Sequence, residues 1–501
     1  RILFNLFNDR LEVSHNGRSF NEQDVRGVCG VGEGTKAEDL TKIGKFGIGF
    51  KSVYAYTGTP EIYSGTEAFR IEHYVRPSAV SPISIENSWT TLFVFPFNSK
   101  EISPEIAFKE INDHLCNLSA RTLLFLRKIK EIEYKQLNSI DGIYLREEIA
   151  RGQGRQVNVI GQNNGKEAEE QWLMFVRLVS IPENSETVRV EVSFCLEIED
   201  KARKNFQRIV KVKDSPLVVY FPTEKKTKLG FLIQGPYRTT PARDNIPEND
   251  EWNKTLIKIT AELIGDILFE IKDLGLLSVS FLETLPIRAE DFPENSMFYP
   301  IAESVCNALV EQELLPAADG SFVSARNAKL AEAEWLRKLL SDEQLATLLS
   351  TENSCKWISG EITEKGIHRD LWKYIKDELT VEEITSDSFA RKITEPFLLN
   401  QSDDWFVAFY GYLTERETLW EDQWLRHPAG PLRTKPIIRL NGGSLVPPFS
   451  NDGSPNAYLM VDVTDRETTL PVVKIEISCN EDALKFLRKL WYLPLLSLIS
   501  R

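Results

Sequence analysis

Three glycines, Gly44, Gly47 and Gly49, stand at G-x-x-G-x-G spacing directly before a run with helical potential, Phe50 to Tyr56. A glycine-rich turn at a helix start leaves backbone N–H groups free to face an anion, so Ile43 to Tyr54 can cradle a phosphate. Spacing alone supports a second reading equally, in which the glycines only let a helix pack closely against a sheet. The stretch is not the dinucleotide fingerprint, because no buried strand feeds it and no βαβ unit surrounds it. Nor is it a P-loop, because no Gly-Lys-Ser/Thr closes it. Lys45 and Lys51 flank the turn, either to neutralise a polyphosphate or simply as solvated charges.

The turn keeps company with three other segments. Upstream lie Ser14-His15-Asn16-Gly17-Arg18-Ser19-Phe20 and Gly30-Val31-Gly32-Glu33-Gly34-Thr35-Lys36; downstream lies Trp89-Thr90-Thr91-Leu92-Phe93-Val94-Phe95-Pro96-Phe97. In this order and at these distances the four segments resemble the GHKL ATPase superfamily, which groups gyrase, the ninety-kilodalton heat-shock chaperone, histidine kinases and MutL. More closely they resemble its sacsin-type, chaperone-like branch. The resemblance implies a floor for the adenine pocket at His15, Asn16 and Gly17, and an ATP lid starting at Gly34, Thr35 and Lys36. It places the phosphates on the turn Gly44-Lys45-Phe46-Gly47-Ile48-Gly49-Phe50 and closes the adenine side with Thr91.

Two positions depart from the family pattern. The family places an aspartate where His15 stands, to accept a hydrogen bond from the adenine amino group, and an imidazole accepts one only as the neutral tautomer with the right nitrogen bare. The family also carries a water-polarising glutamate and a magnesium-binding asparagine on a helix before the first segment. Here only fourteen residues precede His15, and they read as a hairpin, Ile2 to Phe7 and Leu11 to Ser14. The chain also opens on Arg1, so the expectation is a fragment of a larger protein whose magnesium ligand lies upstream.

The chain has 501 residues, 42% hydrophobic and 27% charged, which suits about three globular domains. A net charge of −14 argues against a scaffold held on nucleic acid by phosphate neutralisation. The six cysteines and five histidines are scattered without metal or disulfide spacing, and no apolar run approaches a membrane span, so a reducing cytoplasm is expected. No metal-ligand set is expected within the chain itself.

Along the chain, Asn21 to Asp24 should start a helix ending at Gly30, with Gly30 to Lys42 as a lid or an ordinary surface loop. Strands are expected at Glu61 to Ser64, Phe69 to Tyr74 and Thr91 to Phe95, and an amphipathic helix at Glu105 to Leu126. The strand Ile129 to Tyr134 then opens a second region with strands at 172–179, 187–197, 217–221 and 229–237, polar turns at 152–154 and 161–165, and a long helix from Glu251 to about Lys272. The loop 238–246 carries Arg243. In the chaperone branch the corresponding loop sends an arginine to the terminal phosphate of ATP, and Arg243 matches it by position, with Arg238 and Gln234 as neighbours; pairing with Asp244 or Glu248 is the plainer alternative.

From Leu285 onward helices dominate the expectation, at Pro300 to Glu313, Ala328 to Leu349 and His368 to Lys392. Two passages, Leu315 to Val323 and Ile438 to Val446, both read as strand, tight glycine turn, strand, through common descent or by chance. The tryptophans enriched here suit a core better than an open peptide-binding surface. The fold class expected is α+β: a Bergerat-type α/β sandwich in residues 1–127, an α/β middle domain in 128–284 and a mainly helical region in 285–501.

The function so implied is an ATP-binding, ATP-hydrolysing, chaperone-like conformational module of a larger sacsin-like protein. Its cofactors would be ATP and Mg2+, its partners protein clients or other subunits, with neither membrane nor nucleic acid. It is an ATPase if the full-length protein supplies the missing Glu/Asn helix. The alternative is a non-hydrolysing scaffold that retains the fold.

Overall fold

The computed structural model describes residues 1–30, 49–137, 139–163, 165–180, 187–198, 207–240, 245–351, 354–421, 429–451, 453–459 and 470–491. They form two compact units, Arg1–Val305 and Cys306–Arg501.

The first unit is mixed α/β, built on one 15-stranded sheet. Its strands are β1 (Ile2–Leu6), β2 (Arg10–His15), β3 (Glu61–Ser64), β4 (Glu67–Glu72), β5 (Arg76–Ala79), β6 (Thr91–Pro96), β7 (Glu131–Gln136) and β8 (Ser139–Arg151). They continue with β9 (Gly154–Asn163), β10 (Lys166–Ser180), β11 (Thr187–Ile198), β12 (Gln207–Val210), β13 (Pro216–Val219), β14 (Phe221–Lys226) and β15 (Leu232–Gln234). The order is β14-β13-β15-β11-β10-β9-β8-β7-β1-β2-β6-β3-β4-β5, with β12 on β11. Most neighbours are antiparallel. β1 and β7 run parallel, Ile2 opposite Ile132, so the sheet passes without interruption from the opening hairpin into the strands after residue 128.

Four helices decorate the sheet: α1 (Glu22–Cys29), α2 (Pro104–Cys116), α3 (Glu251–Asp273) and the single turn α4 (Val279–Leu282). α3 packs on β10 and β11 through the stripe Trp252, Leu256, Ile257, Leu263, Ile264, Ile267 and Ile271, and starts where Asp250 accepts from the Asn253 N–H. The opposite face is covered by α2 and by residues 120–125, whose Leu123, Leu124 and Phe125 meet Tyr134, Val157, Trp172 and Met174 in one core.

Several boundaries differ from the sequence expectation. The helix expected over Glu105 to Leu126 ends at Cys116, followed by a 3-10 turn, Ala120–Leu123. Asn117 bonds back to the Asp113 carbonyl (2.8 Å) and Ser119 accepts from the Arg121 N–H (3.2 Å), so side chains take over the backbone groups that would continue the helix. The polar turn expected at 161–165 begins later, since Gly161 lies within β9, where the Tyr144 ring would stand 2.6 Å from a Cβ at that position. The helix expected after the glycine turn is a 3-10 helix, Gly49–Ala55.

In the second unit the helix expected over Ala328 to Leu349 is a strand, Ala328–Ala331, and two helices, Glu334–Leu339 and Asp342–Leu349, the latter started by a Ser341–Gln344 capping box. Likewise the stretch 368–392 divides into Arg369–Asp377, a strand Glu383–Ile384 and Ser386–Lys392, broken where Thr380 takes a positive φ of 54°. The two similar passages are both hairpins of the same form: Leu315 pairs with Val323 and Ile438 with Val446, each turning on a glycine, Gly320 and Gly443, at φ 82°. Both hand on to a later segment the same way, Ala317 bridging to Ile358 and Leu440 to Val473. Trp335, Trp357, Trp372, Trp405, Trp420 and Trp491 are buried; the indole N–H groups of Trp357, Trp405, Trp420 and Trp491 donate to backbone carbonyls, which makes them core residues. No helix among the described residues is long and apolar enough to cross a membrane.

Candidate functional site

The site is built on the part of the sheet formed by β2, β6 and β3. Register places His15 opposite Thr91, and Thr91 opposite Ser64, so the three side chains form one cross-strand row. Two residues further along each strand, Val13, Phe93 and Ile62 continue the same face, and α1 and the 3-10 helix cover it through Val25, Val28, Cys29, Phe50 and Tyr54.

α1 starts at a capping box: the Asn21 side chain accepts from the Asp24 N–H (3.0 Å) and the Asp24 carboxylate from the Asn21 N–H (2.9 Å). Arg18 clamps the same carboxylate with two N–H groups, at 2.5 and 2.7 Å. Its far end is held by Lys51, whose ammonium donates to the carbonyls of Val28 (2.9 Å), Cys29 (3.3 Å) and Tyr74 (2.6 Å). Burial lowers the Lys51 pKa. Lys51 therefore caps a helix end and is spent on carbonyl oxygens, whereas its place beside the glycine turn had also suited a phosphate ligand.

Within the row, Thr91 and Ser64 are 0% and 1% exposed and their hydroxyls meet at 2.6 Å. Ser64 Oγ also accepts from the Phe20 N–H at 2.9 Å, which ties the loop after His15 to β3. The Gly17 N–H donates to His15 Nδ1 at 3.1 Å. Thr90 closes the turn from the other side, its hydroxyl donating to the carbonyls of His15 (3.0 Å) and Gly17 (2.6 Å). Burial pushes the His15 pKa down. Asn16 is exposed.

Aromatic contacts connect this floor to the end of the glycine turn. Phe93 touches His15 (centroids 5.9 Å apart), Phe20 (5.8 Å) and Phe50 (6.3 Å), and stacks on Phe95 (6.0 Å). A Cβ built on Gly49 would meet none of the described residues within 4 Å.

Among the described residues, His15 and Thr91 stand opposite one another, Gly17 bonds back to His15, and Phe50, which follows Gly49, meets Phe93 beside His15. Gly34, Thr35, Lys36, Gly44, Lys45, Phe46, Gly47, Ile48 and Arg243 lie outside the described residues. Of the neighbours of Arg243, Arg238 pairs with Asp250 (3.3 Å), the residue that caps α3. Gln234 lies opposite Glu191 in the sheet. Glu191 is 1% exposed with neither carboxylate oxygen hydrogen-bonded, and Arg127 stands 3.7 Å away. Burial pushes the Glu191 pKa up against the opposing pull of Arg127, Arg189, Arg146 and Arg155. Among the described residues no group of three or more His, Cys, Asp or Glu is placed to hold a metal ion.

Sequence reasoning missed Ser64, Thr90 and Phe93. Thr90 stands beside Thr91, but its bonds to residues 15 and 17 depend on strand register, as does the contact of Ser64.

Residues 9–76 of this chain match the Sacsin domain family. Over 53 residues it is 45% identical to human sacsin, a match that covers 11% of this chain and 1% of sacsin. A longer match, 24% identical over 320 residues, relates it to Protein NO VEIN of Arabidopsis thaliana and covers 58% of this chain and 11% of that protein. The chain thus matches only a small part of the length of these relatives. Two solved structures, the N-terminal domain of a DNA repair protein and the gyrase B-subunit of Myxococcus xanthus, are 9% and 11% identical. Each covers 49% of this chain, and 82% and 78% of the respective structure, at a TM-score of 0.26.

Proposed function

We propose that this chain is a nucleotide-driven, chaperone-like conformational module that binds a purine nucleoside triphosphate, ATP being the one the sacsin resemblance implies. The observation that carries the reading is that the His15–Thr91–Ser64 row is joined through Phe93 to Phe50, the residue that follows Gly49. The row would seat the base, and the turn 44–50 would hold the phosphates with backbone N–H groups. Gly34, Thr35 and Lys36 would belong to a lid, and Arg243 would hold equatorial oxygens of the terminal phosphate, where charge gathers in transfer. Mg2+ would supply positive charge to offset the polyphosphate, held by the asparagine that the sacsin resemblance implies upstream of this sequence. Nucleotide then acts by binding one arrangement of the protein better than another, so the output is movement, passed to protein clients or partner subunits.

The test is calorimetric titration with ATP and GTP, with and without magnesium, on the chain and on its Gly49→Ala variant. Saturable binding that the variant loses at unchanged stability is the expected result, since the added methyl meets no atom of the described residues. An Arg243→Ala variant that binds as before but hydrolyses more slowly completes the assignment. Absence of binding to either nucleotide would refute it.

A further inference from the structure

We propose that the cavity between residues 116–120 and the strands β8, β9 and β10 is a binding site for a small monocarboxylate with a one-ring apolar body. In the sheet, β7 and β1 stand between these strands and β2, and the inference does not depend on the nucleotide reading.

The cavity measures about 300 Å3, at the small end of the range for ligand pockets, which suits a single ring. Its floor is one face of the sheet, where Tyr144, Gly161 and Ala168 form a cross-strand row and Lys166 stands opposite Asn163. Small residues keep that floor low: a Cβ on Gly161 would stand 2.6 Å from the Tyr144 ring and 3.3 Å from the Ala120 Cβ. Cys116, Leu118, Ser119, Ala120 and Glu170 complete the lining.

What the ligand must carry follows from which lining groups are already bonded. Asn163 accepts from the Tyr134 hydroxyl and donates to the Cys116 carbonyl (2.6 Å) and the Tyr144 hydroxyl (2.8 Å). Tyr144 in turn donates to the Leu118 carbonyl at 2.6 Å. The carbonyls at the end of α2, which would repel an anion, are thereby capped. Glu170 is neutralised by Arg121, which bonds its two oxygens at 3.1 and 3.0 Å, and it accepts from the Trp172 indole at 3.0 Å. Two lining groups are unspent among the described residues, and both are donors. Lys166 makes no hydrogen bond or ion pair, and the Ser119 hydroxyl accepts from the Arg121 N–H but donates to none of them. Both residues are exposed, as is Ala168, so the anionic group belongs at the rim and the ring against the floor. A polar body would find its partners inside already taken, and an ammonium would meet Lys166 as a like charge. One uncompensated positive charge calls for one carboxylate.

The experiment is methyl NMR of the full chain labelled at its alanine methyls and titrated with 4-methylbenzoate, its neutral analogue 4-methylbenzamide and the cation 4-methylbenzylammonium. The Ala120 and Ala168 signals, assigned by substitution, should shift saturably with the acid. The amide should bind about threefold to fivefold more weakly, the worth of one exposed charge pair, and the cation more weakly still. Lys166→Gln should bring the acid down to the level of the amide. Ala168→Trp, which fills the cavity from an exposed strand position, should abolish binding of both. If circular dichroism shows that the tryptophan variant fails to fold, the Lys166→Gln titration and the two alanine signals decide. Acid and amide binding alike, binding that Lys166→Gln or a folded Ala168→Trp leaves unchanged, shifts confined to other alanines, or no saturable shift with the acid would each overturn the inference.

Discussion

Replacing Lys51 by methionine separates a helix cap from a phosphate ligand. The side chain keeps its apolar stem but loses an ammonium that donates to Val28, Cys29 and Tyr74 carbonyls at 2.9, 3.3 and 2.6 Å. A charge-assisted hydrogen bond to a buried carbonyl is worth about 1.5–3 kcal/mol. Two of these bonds are partly buried, the third is exposed, and one is long, so the sum is discounted to about 2 kcal/mol, including the favourable placement of a cation at the C-terminus of α1. Because the loss is local, hydrogen exchange of peptides covering 22–29 is the assay. Protection there should fall roughly thirtyfold, since about 1.4 kcal/mol is tenfold, while nucleotide affinity changes less than about threefold. Unchanged protection together with a tenfold or greater loss of nucleotide affinity would refute the cap and return Lys51 to the phosphates.

Other perturbations test the electrostatics and the second unit. His15 has a folded-state pKa below its ordinary 6.5, so its neutral form is favoured by folding and the associated stability is present above pH 6.5 and lost as pH falls toward the folded value. A urea-denaturation series across that range should show the slope in the wild type and lose it in His15→Asn. Glu191→Gln should raise stability at pH 7 by about 1 kcal/mol, because the desolvated carboxylate has no hydrogen bond to lose. The gain should shrink as pH falls toward 4.5, where the raised pKa leaves the wild-type carboxyl protonated; a loss of more than about 1 kcal/mol would show that pairing with Arg127 dominates. Trp405→Ala, which removes a buried ring and its bond to the Leu339 carbonyl, should destabilise the second unit by about 3–5 kcal/mol in urea melts followed by hydrogen exchange.

What could be read from sequence and what could not follows from the range of the interactions. The opening hairpin, α1 and α3 were legible because their signals are local: period-two alternation, an Asn21–Asp24 capping box, and a long apolar stripe. The two glycine hairpins of the second unit were legible for the same reason, since Gly320 and Gly443 mark positive-φ turns. Hidden from sequence were features that depend on register between distant strands, above all the Ser64–Thr91 pair and the parallel meeting of β1 with β7. The continuation of α2 past Cys116 was misjudged because Leu123 to Leu126 keep helical spacing while serving the core in a tighter turn. At the candidate site, the bond from the Gly17 N–H to His15 Nδ1 and the Thr90 hydroxyl contacts beside it needed the folded turn in view. That Lys51 caps α1 was not legible, because nothing local reveals that the end of α1 lies beside it.

The most direct test of the central claim, that the β2–β6–β3 row seats the base of a nucleotide, is photo-crosslinking with 8-azido-guanosine and 8-azido-adenosine triphosphates followed by peptide mapping. The label should fall on peptides carrying His15–Gly17 or Thr90–Thr91, compete away with unlabelled triphosphate, and vanish in Gly49→Ala. Label confined to Cys306–Arg501, or incorporation that unlabelled triphosphate cannot displace, would contradict the account.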